Sequence, residues 1–436
     1  MSLLTLRSRR QRLLQLLSTE PQHDHPSESQ QLLDNLVRCR FRDATDARDK
    51  VYGVLGLTIT TSLGTGATPE ELLGITPDYD SPFQEVYRHT ARRLIISSRS
   101  LNVLGSCTSP ANDQLPTWVP DWSFTGVVAL PLTKDAFDRP RLAHASRGSE
   151  ARPLFENTGN DLVLQGHELT TIVVLAPILR RPPVPSGDIN VLKPKAHTTT
   201  LGSQFELLRQ NMTLVHLLYE FLMSIVPYLG VWADWDVFAR EVEPRNPGGA
   251  TNGEGDPMTV YWQTLSTGTF LPSRSNTRAR DVPEATEAKQ PGVPNDYAEK
   301  QRKQETAESF YVWRASLKAA RDMHRWDVDR RARPVAFLGC ILNTWKKYND
   351  FARLLENAYE RRLARCENGY LALVPATAEE GDGIVLVEGG VVPLVLRQDS
   401  SRDAGDNWCR LVGEAYVHGV MNGDAFRKDE LVVFTI

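Results

Sequence analysis

The 436-residue sequence lacks the common marks of a secreted, membrane-spanning or nucleic-acid-binding protein. Its five cysteines are scattered and form no C-x-x-C pair, so they indicate neither a disulfide framework nor a zinc site. No apolar run reaches the roughly 20 residues that span a bilayer, and no apolar leader followed by a cleavage site is present. The formal charge of -4 provides no field that would attract nucleic acid or an anionic membrane. We therefore expect a cytoplasmic protein whose partners are proteins.

The first residues offer one alternative location. The segment MSLLTLRSRRQRLLQLLST carries four arginines, no acidic residue, and leucines at helical spacing. A mitochondrial presequence has this composition, and so does a surface helix with a basic face. We favour the surface helix and keep mitochondrial import as the minor alternative.

Periodicity and composition divide the chain into four parts. Residues 1–130 are predicted to be a helical region, and residues 131–242 combine short strands with apolar helices. Residues 243–308 are rich in Pro, Gly, Asn and Thr and are predicted to be a mostly disordered insertion. Residues 309–436 begin with a helix and end in a β-rich unit. The predicted fold class is α+β: a mainly helical core, a small C-terminal antiparallel sheet or partly open barrel, and a long disordered insertion.

Several local patterns are specific enough to test. Ser81 and Pro82 are predicted to cap and begin a helix whose buried face includes Val86, Tyr87 and Ala91. Leu162 to Leu164 and Thr170 to Leu175 are predicted as two separate strands. The helical pattern that resumes at Ala336 is extended through Cys366. Near-continuous apolarity in the last strands predicts that both faces of their sheet are covered.

The sequence contains little that resembles an active site. There is no phosphate-binding G-x-x-x-x-G-K-[ST] loop and no G-x-S-x-G elbow, and HELTT places Thr171 where a zinc protease needs its second histidine. A Cys409–His418 pair would be one route to a hydrolase, although a lone histidine in a strand is usually structural. We assign no catalytic, cofactor-binding or metal-ligating residue and expect no cofactor.

The charged stretch DARDK, residues 46–50, has an architectural interpretation. Asp46 is predicted to cap a short helix that buries Val51, Tyr52 and Leu55 and ends at Gly56. Arg48 and Asp49 would then hold neighbouring segments through charge-assisted hydrogen bonds.

A family resemblance rests on several motifs in a fixed order. FRDATDARDKVYGVLGL, ITPDYDSPFQEVYRHTARRLI, SRSLNVLG and LPTWVPDWS are followed near the C-terminus by GDGIVLVEGGVVPLVLR and RLVGEAYVHGVMNGDAF. Together they resemble the fungal heterokaryon-incompatibility (HET-domain) proteins. Two departures are Ala47, where the family usually has Pro, and Gly53, where it usually has Ala; the second costs up to about 1 kcal/mol in a helix.

The resemblance implies a role in fungal allorecognition and programmed cell death. It covers the C-terminal portion of such proteins, whose N-terminal effector module resembles the Toll/interleukin-receptor fold of NAD-cleaving death effectors. We expect that module to be missing from this chain, either genuinely or through a truncated gene model. The leading hypothesis is a non-catalytic scaffold, specificity or regulatory portion that binds protein partners, including full-length relatives. A cryptic hydrolase with a pocket between the helical core and the terminal sheet is the alternative.

Overall fold

The computed structural model describes residues 27–58, 73–107, 112, 114–134, 144–181, 230–241, 256–271, 295–325, 350–399 and 407–436. The chain divides into two compact units. Unit 1 comprises Met1–Leu175, Val242–Thr269 and Glu356–Ile436, and unit 2 comprises Ala176–Glu241 and Phe270–Leu355. The basic segment at residues 1–19 and the apolar stretch at residues 205–229 lie outside the described residues.

The N-terminal part of unit 1 is helical, as its periodicity predicts. Its helices are α1 (Glu28–Cys39), α2 (Asp49–Leu55) and α3 (Phe83–Ser98), followed by a 3₁₀ turn at Asn102–Ser106. The predicted apolar face of α3 is buried. Its predicted cap is wrong, because Pro82 occupies the N-cap position and the Ser81 hydroxyl donates to the Asp78 carboxylate at 2.6 Å.

One antiparallel sheet forms the rest of unit 1. Its strands are β1 (Leu154–Glu156), β2 (Asp161–Leu175), β3 (Arg361–Cys366), β4 (Leu371–Pro375), β5 (Gly383–Val387), β6 (Leu394–Gln398), β7 (Cys409–Glu414), β8 (Tyr416–Val417) and β9 (Val432–Thr435). The strand order is β7-β6-β5-β2-β3-β4-β8, with β1 and β9 also paired to β2. This path is not closed, although its end strands β7 and β8 are separated in sequence only by Ala415.

The sheet corrects three sequence-based expectations. It is not small and not confined to the C-terminus, because β2 lies at its centre. The two strands predicted at residues 162–175 are one continuous strand of 15 residues. Residues 361–366, predicted as the end of a helix, form β3, which pairs antiparallel with both β2 and β4 and is mostly buried.

The core of unit 1 is shared by helices and strands, so it is not mainly helical. Leu36 of α1, Leu94 of α3 and Val385 of β5 belong to one buried cluster. Ile384 and Leu386, which alternate with Val385 along β5, belong to a second cluster on the other face. The prediction that both faces of the sheet are covered is therefore confirmed, and the coarse fold class is α+β.

Two ordered segments lie inside the stretch predicted to be mostly disordered. The helix α4 (Pro257–Leu265) buries Tyr261 and Trp262 in unit 1. The helix α5 (Asn295–Arg325) begins within the stretch and belongs to unit 2. Turn-rich composition around these helices concealed them. Residues 243–255 and 272–294 lie outside the part of the chain that the structure describes.

Unit 2 contains α5 and a helical segment at residues 230–240. Arg314 forms a two-pronged ion pair with Asp236, at 2.6 and 2.8 Å. The rings of Trp232 and Trp313 meet edge to face with centroids 4.7 Å apart. Among the described residues of the whole chain, no helix combines the length and apolarity required to cross a membrane.

Candidate functional site

The stretch DARDK connects two of the signature motifs. The Asp46 carboxylate accepts hydrogen bonds from the backbone N–H of Arg48 at 2.9 Å and from its guanidinium at 2.7 to 3.2 Å. The same guanidinium donates to the carbonyls of Tyr79 and Ser81, the latter at 3.0 Å. Arg48 therefore fixes the PDYDS loop on the N-terminal end of α2, as the sequence predicted.

Tyr79 completes this connection at the surface. Its hydroxyl donates to the Asp49 carboxylate at 2.6 Å, and this hydrogen bond raises the pKa of the phenol. The ring meets Tyr52 edge to face at 5.3 Å, and the Arg48 guanidinium lies 5.2 Å from its centre. Tyr79 is nevertheless 53% exposed. The predicted roles of Arg48 and Asp49 are thus confirmed, and both act through the loop at residues 78–81.

Two buried cations lie beneath this surface. Lys50 donates to the carbonyls of Arg40 and Arg42, and Arg40 donates to the carbonyls of Ser106 at 3.0 Å and Asp121 at 2.7 Å. Burial lowers the pKa of both Arg40 and Lys50. Because both side chains are hydrogen-bonded to backbone oxygens, they act as ties between segments.

The LPTWVPDWS motif is held by the same network. The Asp121 carboxylate accepts from the Ser123 backbone N–H and the Asn112 amide, both at 2.9 Å. The fully buried Trp118 donates from its indole to the Asn160 carbonyl at 2.8 Å. Trp122 is also buried and meets the Tyr87 ring edge to face at 5.1 Å. Both tryptophans thus lie in the hydrophobic core, as predicted.

A buried carboxylate joins the C-terminal motifs to this network. Glu414, at the end of β7, accepts from the Leu132 backbone N–H at 2.7 Å. Its carboxylate packs so closely on Gly105 that a Cβ there would lie 2.3 Å from an oxygen. The fully buried Arg361 donates to the Glu414 carbonyl at 2.8 Å. The sequence does not reveal this junction, because Arg361 is one of three arginines in β3 and nothing in the sequence marks it as the buried one.

An ion pair that the sequence analysis did not predict fixes the β5–β6 hairpin. Arg397 on β6 contacts both carboxylate oxygens of Asp382, at 2.7 and 2.9 Å. It also donates to Glu379 at 2.9 Å and to the Thr377 carbonyl at 3.0 Å. Only 2% of the Asp382 side chain is exposed. The ion pair between Asp382 and Arg397 therefore joins the GDG motif to the VLR motif.

A cleft of about 800 Å³ lies within unit 1, between the LPTWVPDWS segment and strands β6 and β7. Cys409 contributes to its lining, whereas His418 does not. Burial raises the pKa of Cys409 to about 11, with smaller contributions from Glu168 and Asp399. The thiol is therefore protonated at neutral pH, the opposite of what an activated nucleophile requires.

The two residues of the hypothetical hydrolase have different neighbours in the sheet. Cys409 pairs with Gln398 of β6. His418 follows β8, and its backbone N–H donates to the Leu371 carbonyl. Among the described residues, no group of three or more His, Cys, Asp or Glu side chains is placed to bind a metal ion.

Two comparisons with known proteins point to the same family as the sequence motifs. Residues 303–434 match the model of the Het-6 beta-barrel domain. The chain is also 24% identical over 418 residues to heterokaryon incompatibility protein 6, OR allele, of Neurospora crassa. Both matches support the resemblance of this chain to the heterokaryon-incompatibility proteins. The match covers 87% of this chain but 49% of the Neurospora protein, so the chain spans about half the length of that relative. No solved structure matches the chain.

The matched domain is in direct contact with the N-terminal motifs of unit 1. The matched domain contains β3 to β8 and most of β9, and its Glu414 and Arg361 reach the segments around Gly105 and Leu130. The motifs of the N-terminal and C-terminal segments thus build a continuous buried framework across unit 1.

Proposed function

We propose that this chain acts in heterokaryon incompatibility as a non-catalytic scaffold or specificity portion that binds protein partners. The observation that supports the proposal is that the charged side chains of the motifs bind other parts of the same chain. Arg40, Lys50 and Arg361 donate to backbone carbonyls. Arg48 donates to backbone carbonyls and to the Asp46 carboxylate, and Arg397 pairs with Asp382. Such groups stabilise a shape and are not positioned to transfer protons or attack a substrate.

The named relative supports the biological setting of the proposal. The relative is named heterokaryon incompatibility protein 6, OR allele, and this chain aligns with about half of it. A scaffold in this setting would bind components of the rejection response, including full-length relatives.

The first experiment measures the effect of the chain in living cells. The full chain is expressed in a filamentous fungus that carries a full-length relative, and the viability of fused cells is scored with a vital dye. We expect altered viability together with co-purification of the relative. Unchanged viability without any co-purified relative would contradict the proposal.

The second experiment tests for catalysis directly. The purified chain is incubated with NAD and with generic ester substrates, in parallel with the Cys409→Ala, His418→Ala double variant. We expect no turnover by either protein. Turnover that disappears in the double variant would establish the hydrolase alternative instead.

A further inference from the structure

Tyr79 is unusual because it is exposed and rigidly held at the same time. Tyr79 is 53% exposed, yet its hydroxyl is bonded to Asp49 and its ring contacts both Tyr52 and Arg48. An exposed side chain that is already ordered loses little conformational entropy when a partner covers it. Tyrosine is also among the residues that most often dominate binding energy at protein interfaces.

The surroundings of Tyr79 are acidic. Asp78 and Asp80 flank it in sequence, and Asp46 and Asp49 lie close enough to influence the pKa of its phenol. The cation in contact with the ring, Arg48, is already paired with Asp46. We call the surface formed by Tyr79, Tyr52, Asp49, Asp78 and Asp80 the Tyr79 platform.

We infer that the Tyr79 platform docks an arginine- or lysine-rich segment of a protein partner, an inference that rests on the proposed scaffold function. An aromatic ring attracts a cation to its face, and nearby carboxylates accept hydrogen bonds from the cation's N–H groups. A nucleic acid would instead bring phosphates against the aspartates. The occupant that the charges favour is therefore a basic protein segment.

The open groups on the platform support the same occupant. Asp80 is exposed, and its carboxylate is not used in the contacts that hold the loop, since only its backbone N–H bonds to Asp78. The Asp78 carboxylate, by contrast, orders the loop through Ser81 and Asp80. One carboxylate is thus free for a partner while its neighbour keeps the surface in shape.

Binding is tested on the full chain with a short fluorescein-labelled peptide of alternating arginine and serine, followed by fluorescence anisotropy at low ionic strength. The comparison peptide has glutamine in place of arginine. We expect the arginine peptide to bind the unaltered chain and the Tyr79→Ala and Asp80→Lys variants each to weaken binding by about tenfold or more. Binding should also weaken as salt rises.

Matched variants separate docking from folding. Tyr311→Ala removes a tyrosine of similar exposure, 47%, from α5 and should leave binding unchanged. Asp80→Lys alters a side chain outside the loop's own contacts, so its thermal unfolding should match that of the unaltered chain. Equal binding by the unaltered chain and both platform variants, or no binding of the arginine peptide by the unaltered chain, would overturn the inference.

The cellular assay distinguishes failure of this inference from failure of the proposed function. If the unaltered chain changes viability and Asp80→Lys and Tyr79→Ala do so equally, the scaffold function stands and the platform is not its docking surface. If viability and co-purification respond to the unaltered chain but are lost in both variants, the platform carries the interaction.

Discussion

Arg40 shows at the scale of one residue how this protein uses charge. Its side chain is only 4% exposed, and it donates to two backbone carbonyls far away in sequence, those of Ser106 and Asp121. A buried guanidinium costs desolvation, which appears as the lowered pKa of Arg40. The cost is offset only while both carbonyls remain in place.

We predict that Arg40→Met lowers the free energy of unfolding by about 1–3 kcal/mol, because two carbonyls lose their donor inside the protein. Urea unfolding followed by tryptophan fluorescence measures the change. Arg42→Met is the matched control, since the Arg42 side chain is exposed and two residues away. Equal loss in both variants would show that the buried contacts contribute nothing specific.

Gly53 provides a prediction of the opposite sign. It lies exposed within α2, where a Cβ would meet nothing within 4 Å. We predict that Gly53→Ala, which restores the residue usual in the family, raises the free energy of unfolding by about 0.5–1 kcal/mol. The contrasting variant is Gly105→Ala, whose Cβ would collide with the Glu414 carboxylate and should destabilise. Thermal unfolding of both variants checks the pair, and a destabilising Gly53→Ala would contradict it.

At the scale of elements, β2 organises the sheet by changing partners along its length. Residues 161–163 pair with β1, residues 163–166 with β9, residues 166–171 with β5, and residues 172–175 with β3. Register shifts occur between Glu168 and Thr170 and between Ile172 and Val174. These irregularities let one strand join two parts of the sheet.

The partner changes also explain what sequence reasoning could and could not predict. The apolar face of α3 and the near-continuous apolarity of β5 are local properties, so the sequence predicts both correctly. In β2, the polar residues Gln165 and Glu168 interrupt the apolar pattern, so the sequence predicts two strands where the structure has one. The contacts of Glu414 with Leu132 and of Arg40 with Asp121 join residues that are distant in sequence. Such contacts cannot be predicted from the local pattern of a single sequence.

Gly166 lies where β2 pairs with both β5 and β9. A Cβ at this position would lie 2.5 Å from the Leu386 carbonyl oxygen, which is backbone and cannot rotate away. We predict that Gly166→Ala lowers the free energy of unfolding by about 1–3 kcal/mol. Hydrogen exchange should show the loss of protection in both β5 and β9. A variant as stable as the original would show that the strands separate without cost.

At the scale of the whole molecule, the central question is whether unit 1 is a framework or an enzyme. Its helices and its sheet share one core, and the family motifs lie at the joints between them. The cleft beside β7 is large enough for a ligand, so its presence alone does not decide the question. The protonation state of its cysteine does bear on it, because a thiol nucleophile must ionise near neutral pH.

We predict that Cys409 reacts with iodoacetamide very slowly at pH 7 to 8 and that its rate rises toward pH 11, following the raised pKa of about 11. Peptide mass spectrometry resolves Cys409 from the other cysteines, and free cysteine in the same solution is the control. The burial that raises the pKa favours the neutral thiol in the folded state, so unfolding in urea at pH 8 should bring the rate back to that of free cysteine. Fast alkylation at pH 7 in the folded protein would mean an activated thiolate, and the cleft would then have to be tested as an active site.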